Sequence, residues 1–252
     1  MISCKTKQWE VFAISEPKPK FKRVLLKLSG EALAGGKKTG LDFNIIRDVC
    51  TAIKKCMLMG VEIGIVVGGG NFWRGALDGG GKMERSRADH MGMMATVMNC
   101  LALQDVLEQI DVPAKVQTAL DIQAVADSFS RQSADFHLKN DCAVIFGCGT
   151  GSPFFSTDTA SALRAAEIGA EIILLAKNID GVYTADPKID PTAKKLENIS
   201  YADVLAGRLK VMDATATSLA MDNNIPVVVF ALSDPENIIR AICGESIGTR
   251  IA

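Results

Sequence analysis

Residues 24–30 read VLLKLSG, residues 61–71 read VEIGIVVGGGN and residues 142–151 read CAVIFGCGTG. Each is a short run, rich in β-branched residues or leucine, that stays apolar on successive positions and then stops on glycine. Alternation would mark a sheet with one wet face, whereas successive apolar residues mark strands covered on both faces. Working outward, these segments predict strands at 24–28, 61–67 and 142–146, and similar runs predict others at 114–117, 172–175 and 227–230. Between them, 42–59 reads as a helix: Ile45, Ile46, Val49, Ile53 and Met57 fall at 3/4 spacing, Asp42 is placed to cap the start and Gly60 lies past the end. Residues 89–110, 157–168, 213–223 and 235–242 carry similar patterns. Strand and helix in repeated alternation predict an α/β protein, an αβα sandwich with a mainly parallel central sheet and right-handed crossovers.

In sheets of this kind ligands bind outside the carboxyl ends of the strands. Thirteen of the 22 glycines fall between Gly30 and Gly81, and Gly147, Gly149 and Gly151 alternate in one further segment. The clusters follow strands, where backbone N–H groups and helix dipoles hold anions. The glycine map is therefore a site map.

Composition narrows the alternatives. With 48% hydrophobic and 23% charged residues the chain can bury a core. A net charge of −1 gives no basis for nucleic-acid binding. Residues 1–21 read as a basic tail ahead of a single domain over 22–252, since no Pro/Ser-rich linker and no internal repeat interrupts the rest. No apolar run has membrane-span length and no cleavable leader is legible at the start. Seven irregularly spaced cysteines with no CxxC pair argue against a disulfide framework and a zinc site, and fit a reducing cytoplasm. With only His90 and His137, a histidine metal centre is not expected.

The familiar nucleotide motifs nearly occur and then fail. Residues 30–37, GEALAGGK, have one residue too many for GxxxxGK[ST], and residues 147–152 lack the third glycine of GxGxxG. HRD and DFG are absent. What remains is a different phosphate-handling set. Lys27 interrupts an apolar strand, where a charge is costly unless it meets an anion, an edge-strand lysine being the plainer reading. Ser29-Gly30, the triple glycine, Arg74 and the hydroxyl-rich segment at 150–158 weigh against that reading. Ser156 or Thr157 is placed to cap the helix that follows.

Six ordered segments, LLKLSGEAL, VGGGNFWRG, DHMGMMATVMN, GTGSPFFSTD, DGVYTADP and LKVMD, resemble the bacterial uridylate (UMP) kinases of the amino-acid-kinase superfamily. The resemblance runs from about Lys22 to the C-terminus. It implies the amino-acid-kinase fold, with an acceptor lobe at roughly 22–170 and an ATP lobe at 171–252. The implied reaction is transfer from ATP to UMP, giving UDP and ADP, with Mg²⁺ held mainly through ATP phosphates.

The same resemblance implies residue roles. Lys27, Leu28, Ser29, Gly30 and Gly70 would line the ATP phosphates with Arg74 beside them, and Tyr183 and Asp186 would stand at the adenosine end. Whether Lys177 or Asn178 meets the adenine is open. Gly69 and Asp89 would hold UMP, and Thr150, Gly151, Ser152, Pro153, Phe154, Phe155, Ser156 and Thr157 would wrap it. Lys27, Arg74 and Asp158 would form the catalytic set, Asp158 orienting Lys27 by an ion pair. His90, at an expected helix start, reads as structural, and Met91, Met93, Met94 and Met98 as core or subunit contact. Gly35, Gly36, Lys37, Lys38, Thr39 and Gly40 correspond to the region linked to GTP activation in relatives, though a plain loop would read the same. A homohexamer, GTP activation and UTP inhibition complete the expectation. Two rivals stand beside it: a carboxylate or carbamate kinase of the same superfamily, and a non-catalytic nucleotide sensor or storage protein.

Overall fold

The computed structural model describes residues 18–252, apart from 38, 80, 82, 186–188 and 210. The strands are β1 (Arg23–Leu28), β2 (Glu62–Val67), β3 (Ala114–Thr118), β4 (Asp127–Ser128), β5 (Ala143–Gly147), β6 (Ile172–Lys177), β7 (Val182–Tyr183), β8 (Lys195–Leu196), β9 (Asn198–Ile199), β10 (Val227–Ala231) and β11 (Thr249–Ile251). The helices are α1 (Gly30–Leu33), α2 (Phe43–Leu58), α3 (Gly75–Asp78), α4 (Arg85–Gln109), α5 (Arg131–Lys139), α6 (Thr157–Ile168), α7 (Tyr201–Ala206), α8 (Ala214–Asp222) and α9 (Glu236–Ile242).

All six strands read from the apolar runs are present and lie in one nine-stranded sheet, ordered β4-β3-β5-β2-β1-β6-β10-β11-β9. Its pairs are parallel except β10 with β11. The interior strands alternate between two apolar layers. Val24, Leu26, Ile63 and Ile65 pack with α2, α4 and α9 on one face, while Leu25, Val144, Ile173 and Val229 pack with α5, α6, α7 and α8 on the other. Both faces of β1 are covered, which is why its sequence carries no polar alternation.

The chain is already attached before β1, since Lys20 N–H donates to the Ile242 carbonyl at 2.9 Å and Phe21 packs on the core. Residues 1–17 of the expected tail lie outside the described residues.

Helix phases hold well, with Asp42 capping α2 through Asn44 N–H at 3.0 Å and Gly60 turning out of it with φ 84°. One start is corrected. The helix read from residue 89 begins at Arg85, because the Glu84 carboxylate accepts the Ser86 and Arg87 N–H groups at 2.9 and 3.0 Å. Those two backbone bonds hold Glu84 below the usual carboxylate range. Asp89 and His90 therefore stand in the second turn of α4, not at its start. Five short strands and the helices α1, α3 and α7 carry too few residues for periodicity to reveal, and α5 buries only Ala134 and Leu138, too few apolar positions to mark a face. Among the described residues no helix is long and apolar enough to cross a membrane.

Candidate active site

Parallel pairing brings the carboxyl ends of β5, β2, β1 and β6 side by side, and the glycine loops leave from three of them. Leu25 belongs to the layer under α6, and alternation points Lys27 to that same side. There it meets Asp158 in the first turn of α6, with Nζ 2.9 Å from Oδ1. From the adjacent strand, Ile173 and Leu175 face the same layer and so does Lys177, whose Nζ is 3.2 Å from Asp158 Oδ2 and also donates to the Val211 carbonyl. One carboxylate thus lies between two ammonium groups, all three largely buried. Burial by itself pushes the Asp158 carboxyl up, yet Lys27 and then Lys177 outweigh it and hold the group below the usual range. Lys177 is depressed from the ordinary lysine value, chiefly by burial and against the attraction of Asp158.

The start of α6 is fixed by Ser156, the capping choice the sequence left open. Its hydroxyl accepts the Asp158 and Thr159 N–H groups at 3.0 and 3.2 Å and donates to the Asp213 carboxylate. Asp213 in turn accepts from Thr159 Oγ1 at 3.0 Å and caps α8 through Ala216 N–H at 2.9 Å. The two helix starts are tied to each other through one carboxylate.

Beside this cluster opens a cavity of roughly 430 Å³. Its walls bring together Lys27, Ser29, Gly30, Gly69, Gly70, Arg74, Asp89, Thr150, Phe154, Phe155, Ser156 and Thr157 from the expected set. The backbone must pass close here: a Cβ on Gly30 would stand 2.6 Å from Asn71 Oδ1 and run into the Gly68 carbonyl. Arg74 lies on the cavity rim at the N-cap of α3, half-exposed and ion-paired with Glu31. Asp89 takes Arg85 Nε on both oxygens at 2.9 Å and the Phe154 N–H at 2.9 Å, which ties α4 to the 150–157 segment. Phe154 holds a left-handed φ of 72° at that point, uncommon for a residue with a Cβ.

Other expected residues lie elsewhere. The Leu28 side chain is in the core and its carbonyl is taken by Gly68 N–H at 3.0 Å, so it offers nothing to a ligand by its side chain. Gly151, Ser152 and Pro153 do not line the cavity, and a Cβ on Gly151 would press on Ala119. Asn178 is exposed beyond β6, and Tyr183 gives its hydroxyl to Asp180 at 3.0 Å. Asp186 and Lys38 lie outside the described residues. In the 35–40 loop, Gly35 turns with φ 58°, Lys37 Nζ donates to the Leu41 carbonyl at 3.1 Å and Gly40 N–H to the Asn71 carbonyl at 3.0 Å. Neither Gly36 nor Thr39 lines the cavity.

Residue-type reasoning did not single out Glu31, Trp73, Arg85 and Thr96, which also line the cavity. The only signal for Thr96 is a hydroxyl inside an apolar helical stretch. Cys148, in the loop itself, is a buried thiol pushed up by that burial and is no nucleophile at neutral pH. A larger, more open hollow of about 720 Å³ at the β9 edge is lined by Leu196, Asn198, Ile199, Ser200, Asp203, Arg250 and Ala252. With one cation and no glycine loop it does not suit phosphates.

A buried cationic cluster, two glycine loops and a capped helix start around one cavity suit a substrate carrying several phosphates. Residues 22–231 match the amino acid kinase family. A UMP kinase from Bacillus anthracis is 39% identical, with 92% of this chain and 96% of that one covered at a TM-score of 0.88. A UMP kinase from Ureaplasma parvum is 37% identical over 92% and 98%, at 0.86. A uridylate kinase from Archaeoglobus fulgidus is 28% identical over 91% and 99%, at 0.70. With the family matched along most of its length and relatives this similar in both sequence and fold, the chain belongs to the amino acid kinase family.

Proposed function

We propose that this protein is a UMP kinase, moving the γ-phosphoryl group of ATP to a phosphate oxygen of UMP and releasing UDP and ADP for pyrimidine nucleotide and CTP synthesis in the cytoplasm. The observation that carries the reading is the Lys27–Asp158–Lys177 cluster beside a cavity that two glycine loops enclose. The attacking UMP oxygen is already an anion, so no general base is required. Positioning and charge neutralisation are. Lys27 reaches the cavity while Asp158 fixes its ammonium, and two lysines against one carboxylate leave a net positive charge where the transferring group gathers negative charge. Arg74 adds a further cation at the cavity rim. The O–P bond to ADP breaks as the bond to UMP forms, and no proton needs to move.

Asp89 supplies a carboxylate for ribose hydroxyls, and Phe154, Phe155 and Thr157 enclose the base, contacts that a small carboxylate substrate would leave unused. Tyr183 and Asn178 stand on the ATP side, in the 171–252 lobe, with the acceptor in the 22–170 lobe. Magnesium prefers oxygen donors and commonly takes one or two carboxylates plus substrate phosphates. Asp158, Glu31 and Asp89, the carboxylates at hand, are each held by a cation, so the residues fit an ion carried mainly on the ATP phosphates. When bound it would shield the phosphates and polarise the transferring group. Met91, Met94, Met98 and Leu101 form an exposed apolar stripe on α4, which supports self-association and a homohexamer. We assign GTP activation to the 35–40 loop on the strength of its bonds to Asn71, with UTP as the inhibitor.

A coupled assay for ADP release with UMP, CMP, dUMP and acetylglutamate as acceptors, with and without GTP, tests the reading. UMP is expected to be strongly preferred. Turnover on another acceptor with none on UMP would overturn it, and nucleotide binding without turnover would favour the sensor alternative.

A further inference from the structure

The chemistry above leaves unused two polar side chains on the inner face of α4. Thr96 and Asn99 are 3% and 0% exposed in a helix face that is otherwise apolar. Buried hydroxyl and amide groups are costly unless bonded, and each of these is bonded to a different loop. Thr96 Oγ1 accepts the Cys148 N–H at 2.8 Å and donates to the Met93 carbonyl at 2.6 Å. Cys148 opens the second glycine loop in a left-handed conformation, φ 62°. Asn99 Nδ2 donates to the Gly68 carbonyl at 2.6 Å and to Asn71 Oδ1 at 2.8 Å, and Asn71 Nδ2 returns a bond to Asn99 Oδ1 at 2.9 Å. The triple-glycine loop also rests directly on the helix: a Cβ on Gly69 would lie 2.8 Å from the Gly92 carbonyl oxygen.

Both loops therefore hang from one rigid helix, at positions i and i+3. Their separation is set by less than one helical turn, a rise of about 4.5 Å at 1.5 Å per residue. Phosphoryl transfer depends on such spacing, since reacting atoms must be held roughly 3–3.5 Å apart. We infer that Thr96 and Asn99 are positioning residues that register the acceptor-side loop against the triple-glycine loop, Thr96 through Cys148 and Asn99 through Gly68 and Asn71. Which nucleotide each loop meets rests on the UMP kinase reading.

Calorimetric titration of UMP and of ATP into the intact chain tests this, with circular dichroism to verify folding. Thr96→Val keeps the side-chain shape and removes the acceptor for Cys148, so UMP affinity falls about tenfold, the size of one lost hydrogen bond, while ATP affinity holds. Thr96→Ser restores UMP binding. Asn99→Asp weakens both nucleotides, because the loop it holds carries Gly69 and Gly70. Burial raises an introduced carboxyl, and the protonated form again donates to Gly68, so variant activity relative to wild type falls as pH rises. Unchanged UMP affinity in Thr96→Val, equal weakening of UMP and ATP, or a flat pH ratio in Asn99→Asp would each overturn the inference. Wild-type UMP binding without phosphorylation would sink the kinase reading alone, with the affinity split still deciding the positioning roles. No UMP binding by the wild type would overturn both.

Discussion

Lys27 shows what a single residue can state about its surroundings. A lysine in a strand buried on both faces needs an anion, and Asp158 supplies it at 2.9 Å. Lys27→Met should lower kcat by about 10²- to 10³-fold, on the order of 2–4 kcal/mol for one lost transition-state contact. Steady-state kinetics check it, and a normal kcat would remove Lys27 from the mechanism. Asp158→Asn leaves two buried ammonium groups without their counter-charge and should cost about 3 kcal/mol of stability, read from urea unfolding.

The pH signs follow from the same cluster. Asp158 has a depressed folded value, so its stabilisation is present above the unfolded carboxylate value and is lost as pH falls through the folded one. The acid limb of the unfolding midpoint should therefore flatten in Asp158→Asn. Lys177 is also depressed, so between its folded and unfolded values the unfolded chain holds the extra proton and stability rises with pH. In activity the effect is opposite. The lysine loses its charge below the ordinary lysine range, giving kcat an alkaline limb that Lys177→Arg should move to higher pH.

Among the elements, α6 and α8 are joined at their N-terminal starts by Ser156 and Asp213. Ser156→Ala should cost about 1 kcal/mol as a lost N-cap. Asp213→Ala, which removes a cap and the acceptor for two hydroxyls, should cost about 2 kcal/mol. Because the two residues share one hydrogen bond, the double variant should lose less than the sum of the single losses. Strict additivity in urea titrations would show that the starts of the two helices are energetically independent. Helix α4 has the opposite arrangement, with polar anchors inward and an apolar stripe outward. Its start at Arg85 was not legible, because a glutamate cap after glycines and lysine gives no periodic signal, whereas the α6 span was read to the residue from its hydroxyl-capped start and apolar spacing.

For the whole molecule, the outward stripe is the feature with a consequence for assembly. Replacing Met94 and Met98 by glutamate places charge on an exposed apolar face and should shift light-scattering mass to a smaller species while circular dichroism holds. An unchanged mass would exclude α4 from the subunit contact. The sheet order explains why the site lies where it does. β1 sits between β2 and β6, and the parallel run from β5 to β10 aligns the loop-bearing ends along one edge.

The sequence by itself determined the layer architecture, the strand runs, most helix phases and the three glycine loops, because all of these are written in local periodicity and turn chemistry. It also carried the family resemblance, since the motifs are contiguous. Only the tertiary structure decided that Lys177 turns to Asp158, that Asp213 ties two helix starts together, and that Thr96 and Asn99 hold separate loops. Those contacts depend on which strands lie side by side and which helix covers them. That order is set by burial summed over the whole core, a property no short window of sequence contains.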